Sequence, residues 1–238
     1  MKKEFKVFVD FDGTITTTDV GENIFLKFGN EEEVKKIIED LLSEKITSKE
    51  CWIALCKSVN HVTENELDNF IDQIKIDSSF KKFISFCNEN EIEHFILSDG
   101  FDYYIKRILE KENLAEIKYY ANKMEITGNK LIPSFPHHDI DFPSSANCKR
   151  NHIINNSSDE EFTVFIGDGN SDKYSVHYCD YIFAKSDLLK YCEKERISYY
   201  PFNNFSDVQE IMTNLLSKKR LKKRHQAELK RREVYLQE

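Results

Sequence analysis

Two carboxylates stand two residues apart, as Asp10 and Asp12, in the segment DFDGT at residues 10–14. The preceding residues 5–9 are apolar and rich in β-formers, so the pair is expected just beyond the end of a buried strand. Such a pair suits phosphoryl transfer, because one carboxylate attacks phosphorus while the other protonates the leaving oxygen and later deprotonates water. Taken alone, the segment is also compatible with a turn that carries two solvated acids.

A hydroxyl, a lysine and two more carboxylates occur near the ends of later predicted strands. Ser98 follows the apolar run HFIL, and Asp168 and Asp172 follow FTVFI, while Lys149 begins a short helical pattern ahead of that run. Asp168 and Asp172 are four residues apart and can converge on a hard cation if a helix begins between them. Lys149 offers a compact positive charge to phosphate oxygens. Taken singly, Ser98 is also typical of a turn and Lys149 of a protein surface.

The elements that position these residues are strands alternating with helices. The predicted strands are FKVFV, HFIL, FTVFI and YIFA, and the residues after Gly100 follow helical spacing. This alternation predicts an α/β fold, namely a Rossmann-like, mostly parallel sheet with helices on both faces. The carboxyl ends of parallel strands meet at one edge, so the candidate residues are expected along that edge.

Residues 19–76 show helical spacing without a strand signal. Thr47 with Glu50, and Thr63 with Glu66, have the spacing of capping boxes that begin two of these helices. We therefore predict a catalytic core at residues 1–18 and 77–217, with a small helical cap at residues 19–76 inserted after the first strand. Residues 218–238 are predicted to form a basic helical extension.

Charge is distributed unevenly along the 238 residues. Residues 1–217 contain 25 Lys and Arg against 39 Asp and Glu, whereas residues 218–238 contain nine basic residues and three glutamates. The acidic body argues against a general nucleic-acid binder, so no specific nucleic-acid partner is expected. The basic tail has few apolar residues and predicts a solvated extension of the last helix, with contact to RNA, acidic lipid or a partner as the alternative.

Composition also bears on class and location. The chain is 40% hydrophobic and 32% charged, which predicts one sizeable globular domain with an insertion. No apolar run reaches the roughly 18 residues of a membrane helix and the start does not resemble a signal peptide, so no membrane partner and a cytoplasmic location are expected. The six cysteines include no CxxC pair and are expected to be reduced thiols.

The order of these motifs resembles the haloacid dehalogenase superfamily over roughly residues 5–217, with DxDGT, Ser98, Lys149 and GDGNSD each placed near a strand. The acid at position 12 is typical of its phosphatases and phosphotransferases. The helical insertion is similar to that of its phosphoserine-phosphatase-like branch. The segments DFDGTIT, SDGFDYYI and DYIFAK are further similar to the methionine-salvage phosphatases, which act on 2-hydroxy-3-keto-5-methylthiopentenyl-1-phosphate.

The resemblance implies a hydrolase that works through an aspartyl-phosphate. It implies Asp10 as the nucleophile and Asp12 as the general acid and base. It also implies a Mg²⁺ cofactor held by Asp10, the backbone carbonyl of Asp12 and Asp168, with Asp172 in support. The phosphoryl-binding residues it implies are Thr14, Ser98, Asp99, Gly100 and Lys149.

The expected partner is a small phosphorylated metabolite. Asp19, Glu22 and His137 are candidate contacts to it, although the two acids also suit a solvated helix start. No arginine precedes Arg107, so the predicted cap lacks the bidentate clamp that suits an amino-acid carboxylate, although Lys45, Lys49 or Lys57 could serve less specifically. The alternatives left open are a phosphoserine phosphatase, a phosphotransferase and a non-catalytic binding module, and the sequence does not determine the oligomeric state.

Overall fold

The computed structural model describes residues 4–235 and has an α/β fold, as the sequence predicts. The strands are β1 (Phe5–Val9), β2 (Glu93–Phe101), β3 (Tyr119–Thr127), β4 (Lys130–Ser134), β5 (Phe162–Gly167), β6 (Tyr181–Ala184) and β7 (Tyr200–Pro201). They form a seven-stranded sheet in the order β4-β3-β2-β1-β5-β6-β7. The β2-β1-β5-β6-β7 pairings are parallel, whereas β3 and β4 pair antiparallel.

Ten α-helices connect and follow these strands in the described part of the chain. They are α1 (Val20–Phe28), α2 (Glu31–Leu42), α3 (Ser48–Ser58), α4 (Glu64–Ile71), α5 (Phe80–Glu89), α6 (Asp102–Lys111), α7 (Lys149–Asn155), α8 (Ser186–Lys194), α9 (Phe205–Ser217) and α10 (His225–Tyr235). Short 3₁₀ helices occupy Asn170–Asp172 and Ser175–Tyr178. Among residues 4–235, the helices are all too short or too polar to cross a membrane.

Contacts within the chain define two compact units. Unit 1 contains the described residues up to Asp10, Ile76–Leu97, and the described residues from Lys149 onward. Unit 2 contains Phe11–Lys75 and Ser98–Cys148. The four helices of the predicted cap segment therefore belong to the same unit as residues 98–148, while the cap boundaries at residues 19 and 76 stay a prediction.

The centre of unit 1 is β1, which lies between β2 and β5. Val9 is paired in register with Ile96 on one side and with Ile166 on the other. All three side chains are at most 1% exposed, as expected for strands that are covered on both faces. The backbone N–H of Asp10 donates to the carbonyl of Ile166 at 2.9 Å, which fixes the first candidate residue at the carboxyl end of β1.

Helix starts and a tight hairpin organise unit 2. Thr47 and Thr63 each form the predicted capping box, in which the threonine and the glutamate three residues later satisfy each other's backbone N–H. Strands β3 and β4 are joined by Gly128 and Asn129, whose φ angles are +57° and +62°. Positive φ at both turn positions matches the right-handed twist of a hairpin and requires residues of this kind.

Strand β2 is longer than the sequence predicted. The apolar run HFIL ends before Ser98, but β2 continues to Phe101, so Gly100 lies inside the strand and not beyond it. The neighbouring strand β3 extends the ladder, and the Asn122 side chain donates to the carbonyl of Asp99 at 2.6 Å. Pairing with a neighbouring strand thus keeps a polar segment extended, which hydropathy alone does not indicate.

The C-terminal segment does not continue the last helix as the sequence predicts, and residues 236–238 of the predicted extension lie outside the described residues. Helix α9 ends at Ser217, a non-helical stretch follows, and α10 begins at His225. Arg231 on α10 is only 1% exposed, because its guanidinium lies 3.4 Å from the buried Asp180 and donates to the carbonyl of Tyr178 at 2.6 Å. The side chain of Arg231 is therefore buried because it pairs with Asp180, a buried acid that is distant from it in sequence.

Candidate active site

Four of the predicted site residues come together in unit 1, and we call Asp10, Lys149, Asp168 and Asp172 the lysine–carboxylate cluster. The Lys149 ammonium lies 2.5 Å from Asp10 and 2.6 Å from Asp172. One carboxylate oxygen from each of the three aspartates lies within 4.8 Å of the others. Asp10, Lys149 and Asp172 are at most 4% exposed, and Asp168 is half-buried. The cluster thus combines three acids and one base with little access to water.

Burial and mutual charge decide the protonation of this cluster. Burial would lower the pKa of Lys149, but its ion pairs with Asp10 and Asp172 outweigh burial and raise that pKa above its ordinary value. Burial, together with the charge of Asp10, raises the pKa of Asp172 to about 7, although Lys149 acts in the opposite direction. One lysine therefore does not compensate the negative charge that three neighbouring aspartates carry when ionised.

The local backbone explains how Asp172 enters the cluster. The 3₁₀ helix at Asn170–Asp172 turns the chain back, so that Asp172 Oδ2 accepts the backbone N–H groups of Asp168 at 3.1 Å and Gly169 at 3.2 Å. A Cβ atom on Gly167 would lie 2.4 Å from that same oxygen. Glycine at the end of β5 is therefore required for the close approach of Asp172.

The donor set fits a small divalent cation. Three carboxylates and one ammonium leave a formal charge of about −2 when all are ionised, which a divalent ion balances. Carboxylate oxygens are the ligands that Mg²⁺ prefers, and it typically takes only one or two of them from the protein. Asp10 and Asp168 are the residues predicted to hold the ion with their side chains, and Asp172 lies close enough to support it.

Asp12 belongs to unit 2, where three donors hold its side chain, and we call Asp12, Val20, Ser98 and Tyr104 the Asp12 group. Its Oδ1 accepts the backbone N–H of Val20, the first residue of α1, at 3.1 Å. Its Oδ2 accepts the hydroxyls of Ser98 at 3.1 Å and Tyr104 at 2.8 Å. Burial and the charge of Asp12 raise the pKa of Tyr104 well above its ordinary value, so the phenol stays protonated.

The turn that carries Asp12 is held by hydroxyl and backbone contacts. Gly13 has a φ of +73° and donates its N–H to the hydroxyl of Thr16 at 3.2 Å. Thr14 is buried in this turn and donates its N–H to the carbonyl of Phe11 at 3.3 Å. The left-handed backbone at position 13 favours glycine, which accounts for the Gly in DxDGT.

Asp99 is engaged with other residues of unit 2. Its Oδ2 accepts hydrogen bonds from the Ser48 hydroxyl and, at 3.5 Å, from the Trp52 indole, while Oδ1 accepts the backbone N–H of Asn147 at 2.8 Å. The backbone N–H of Gly100 donates to the hydroxyl of Ser98 at 2.9 Å. The carboxylate of Asp99 thus organises α3, and its role in phosphoryl binding stays a prediction.

The three candidate substrate contacts lie in unit 2, two of them at the start of α1 and the third after β4. Asp19 caps α1, since its Oδ1 accepts the backbone N–H of Glu22 at 2.7 Å, and Glu22 is exposed. His137 is half-buried and packs edge-on against Tyr120, and burial followed by the charge of Lys123 lowers its pKa. Asp19 and His137 thus have contacts within the protein, and contact of the three residues with a substrate stays a prediction.

Sequence reasoning missed Tyr104 as a partner of Asp12. Helical spacing places Tyr104 on the apolar face of α6, and the residue is fully buried. A phenol at such a position needs a hydrogen-bond partner, which is the signal in the sequence that indicates a polar role. Ser48, which contacts Asp99 from 51 positions away, offers no comparable signal.

A model of the family described as "Putative Phosphatase" matches residues 5–219. The chain belongs to this family of phosphatases. One similar curated protein is the 2-hydroxy-3-keto-5-methylthiopentenyl-1-phosphate phosphatase of Bacillus mycoides, which is 31% identical over 217 residues that cover 90% of this chain and 98% of that protein. The Pdp3-interacting factor 1 of Schizosaccharomyces pombe is 30% identical over 223 residues, with 90% and 97% covered.

Solved structures agree with this phosphatase family at the level of the fold. A phospho-aspartyl intermediate analogue of phosphoserine phosphatase superposes with a TM-score of 0.69 at 22% identity, covering 90% of this chain and 99% of that one. A substrate-bound phosphoserine phosphatase gives a TM-score of 0.68 at 21% identity, with the same coverage. The predicted haloacid dehalogenase type of α/β fold is thereby confirmed.

Proposed function

We propose that this phosphatase hydrolyses a small phosphate monoester in the presence of Mg²⁺, through an aspartyl-phosphate on Asp10. The observation that carries the proposal is the burial of Asp10 in the lysine–carboxylate cluster, 2.5 Å from Lys149 and within reach of Asp168 and Asp172. Lys149, together with a divalent cation held by the carboxylates, would offset the negative charge that otherwise repels a phosphoryl group from the attacking carboxylate of Asp10.

In the first half of the proposed reaction, a carboxylate oxygen of Asp10 attacks phosphorus and the ester P–O bond breaks. Asp12 gives its proton to the leaving oxygen, so the alcohol departs neutral. Lys149 contributes positive charge to the transferring phosphoryl group, whose charge is spread over its equatorial oxygens. Ser98 and the backbone of the DxDGT turn are proposed to bind those oxygens.

In the second half, the ionised Asp12 takes a proton from water while the water oxygen attacks phosphorus. The bond between phosphorus and Asp10 breaks, inorganic phosphate leaves, and Asp12 is again protonated for the next ester. Each proton given in the first half is therefore recovered in the second. A bound Mg²⁺ would supply positive charge beside the reacting oxygens.

The substrate is proposed to be an uncharged or enol-type sugar-like phosphate, as in methionine salvage, and not phosphoserine. Arg107, the first arginine of the chain, forms a bidentate ion pair with Asp72, in which Nε and Nη2 each lie 2.7 Å from a carboxylate oxygen. Its Nη1 lies 2.8 Å from a carboxylate oxygen of Asp68. Lys45 pairs with Asp40 at 2.8 Å. These cations are engaged by acids of unit 2, which supports a substrate that does not need its carboxylate compensated.

A panel of phosphorylated metabolites tests the proposal. With Mg²⁺ present, kcat/KM should be higher for 2-hydroxy-3-keto-5-methylthiopentenyl-1-phosphate than for phosphoserine, and Asp10→Asn should abolish both activities. An added alcohol such as glycerol, followed by assay for a new phosphate ester, separates a phosphotransferase from a hydrolase. A higher kcat/KM for phosphoserine would overturn the substrate assignment, and activity in Asp10→Asn would overturn the mechanism.

A further inference from the structure

Tyr104 is a buried phenol on an otherwise apolar face of α6. It is fully buried, its ring lies 6.2 Å from that of Phe11, and its neighbours on the same face are Ile105 and Ile108. A phenylalanine would satisfy all of these apolar contacts. The hydroxyl is therefore not explained by packing, and it donates a hydrogen bond to Oδ2 of Asp12 at 2.8 Å.

The backbone of β2 leaves room for this hydroxyl. A Cβ atom on Gly100 would lie 1.6 Å from the oxygen of Tyr104 and 2.8 Å from Oδ2 of Asp12. Any side chain at position 100 would displace one or both partners. Gly100 has no positive φ that requires glycine, so close approach to the Tyr104–Asp12 hydrogen bond accounts for it.

Two hydroxyl groups, those of Ser98 and Tyr104, donate to Asp12 Oδ2, and they differ in their other proposed contacts. Ser98 is proposed above to bind a phosphoryl oxygen, and a hydroxyl has only one proton to donate. When that proton turns to the phosphoryl group, Ser98 no longer donates to Asp12. Tyr104 then keeps Oδ2 in place, while the backbone of Val20 holds Oδ1.

The geometry points to Tyr104 as a positioning residue that holds Asp12 in the orientation for proton transfer to the leaving group. This inference rests on the proposed function, because it assumes that Asp12 is the acid and base. It goes further in assigning to Tyr104 a role in protonation of the leaving group, and this role does not involve binding of the phosphoryl group.

The chain offers a matched control for removal of this hydroxyl. Tyr103 is the preceding residue on α6, and its hydroxyl donates to Asp68 at 2.9 Å. Tyr103→Phe and Tyr104→Phe each remove one hydroxyl that donates to an aspartate in unit 2. Only the second of these aspartates is proposed to take part in the chemistry.

The experiment compares two esters with Mg²⁺ present. 4-Nitrophenyl phosphate has a leaving group that departs without protonation, whereas an alkyl phosphate such as propyl phosphate needs the proton. Tyr104→Phe should lower kcat for the alkyl ester about 10- to 100-fold, a fraction of the full general-acid contribution, and change kcat for the aryl ester less than about threefold. KM should change less than about twofold, and Tyr103→Phe should leave both esters within about twofold.

Gly100→Ala provides a second variant, which disturbs the hydrogen bond but keeps the hydroxyl, and it should also slow the alkyl ester more than the aryl ester. The inference is overturned if Tyr104→Phe leaves both esters unchanged or slows both equally while its thermal unfolding matches that of Tyr103→Phe. Failure of the proposed function looks different, since the wild type would then be inactive on both esters, or Asp10→Asn would remain active.

Discussion

The guanidinium of Arg231 lies 3.4 Å from the carboxylate of Asp180, and both side chains are buried within unit 1. Asp180 also accepts the backbone N–H and the hydroxyl of Thr163, at 3.1 Å and 3.0 Å, and the backbone N–H of Arg224 at 3.1 Å. The start of β5 and the residue that precedes β6 are thereby connected to the C-terminal segment. This network gives the basic tail a structural role that does not depend on a nucleic acid or a lipid.

We expect Arg231→Ala to lower the free energy of unfolding by about 3 to 5 kcal/mol, because removing one partner leaves a buried carboxylate uncompensated. Arg232→Ala is the matched control, since Arg232 is exposed and pairs with Glu228 one helical turn away at 2.8 Å. That pair should contribute at most about 0.5 kcal/mol. Equilibrium unfolding in urea, monitored by circular dichroism, measures both values.

The same experiment applies to a chain truncated after Ser217. Loss of Arg231 and of the other residues that contact Asp180 should make this chain less stable than Arg232→Ala by several kcal/mol. Equal unfolding midpoints for Arg231→Ala, Arg232→Ala and the wild type would contradict a structural role for the tail.

The cysteines should be unreactive in the native protein. The six cysteines are all free and buried, and burial is the main cause that raises the pKa of Cys51, Cys56, Cys87 and Cys179 to about 12. A raised thiol pKa means that the thiolate is scarce until the pH approaches 12, so at pH 8 only about 10⁻⁴ of each is ionised, against about a quarter of a free thiol.

Ellman's reagent at pH 8 should therefore react rapidly with almost none of the six cysteines before unfolding and with all six in guanidinium chloride. Labelling of the native protein should require unfolding or local opening, so its rate should rise when the protein is destabilised. Rapid labelling of native protein at pH 8 would show that at least one thiol is accessible and ionised, contrary to this expectation.

The sequence predicted the strands and helix starts well, because short-range signals determine them. The run FKVFV coincides with β1 at Phe5–Val9, and the two capping boxes form at Thr47 and Thr63. The predicted proximity of Asp168 and Asp172 also agrees with the structure, since a 3₁₀ helix turns the chain between them. The chemical roles of these residues stay predictions, because proximity does not establish reactivity.

What the sequence did not predict depends on contacts between distant residues. Periodicity places Tyr104 on an apolar face, but it does not reveal that Asp12 lies 92 positions away in the chain and within hydrogen-bond distance. Composition makes the tail appear solvated, because it cannot show that Asp180 is buried and lacks a charged partner nearby in sequence. One of the nine basic residues of the tail is thus buried in a long-range ion pair that composition does not reveal.

Mg²⁺ should stabilise the protein independently of turnover, because it relieves repulsion in the lysine–carboxylate cluster. At 100 times its dissociation constant, a ligand of the folded state adds about 2.7 kcal/mol, which corresponds to a rise in Tm of roughly 5 °C or more for a chain of this size. Asp168→Asn should abolish most of the rise. Asp187→Asn, which changes an exposed acid on α8, should retain it.

Differential scanning calorimetry with and without Mg²⁺, and after addition of EDTA, measures these shifts. If Mg²⁺ raises the Tm of Asp168→Asn as much as that of the wild type, the ion binds elsewhere. Full turnover by protein that has been stripped of divalent ions would likewise contradict the proposed metal requirement.

The variants Asp10→Asn and Asp12→Asn should lose turnover at different steps of the proposed reaction. Asp10→Asn removes the attacking carboxylate, so no phosphoenzyme should form and turnover should fall to background. Asp12→Asn keeps the nucleophile but removes the proton donor and the base for water, so turnover should fall about 10² to 10⁴-fold with a smaller change in KM. With a good leaving group, Asp12→Asn should still form the aspartyl-phosphate, which then persists.

Rapid acid quench with ³²P-labelled 4-nitrophenyl phosphate measures the difference, by counting protein-bound phosphate that is stable to acid and released by hydroxylamine. Asp12→Asn should accumulate more of this label than the wild type, because the second half of the reaction lacks its base. Asp10→Asn should accumulate none, since no other group of the cluster is proposed to attack phosphorus. If Asp10→Asn carries the label, the nucleophile is a different residue, and if Asp12→Asn turns over at the wild-type rate, proton transfer does not pass through Asp12.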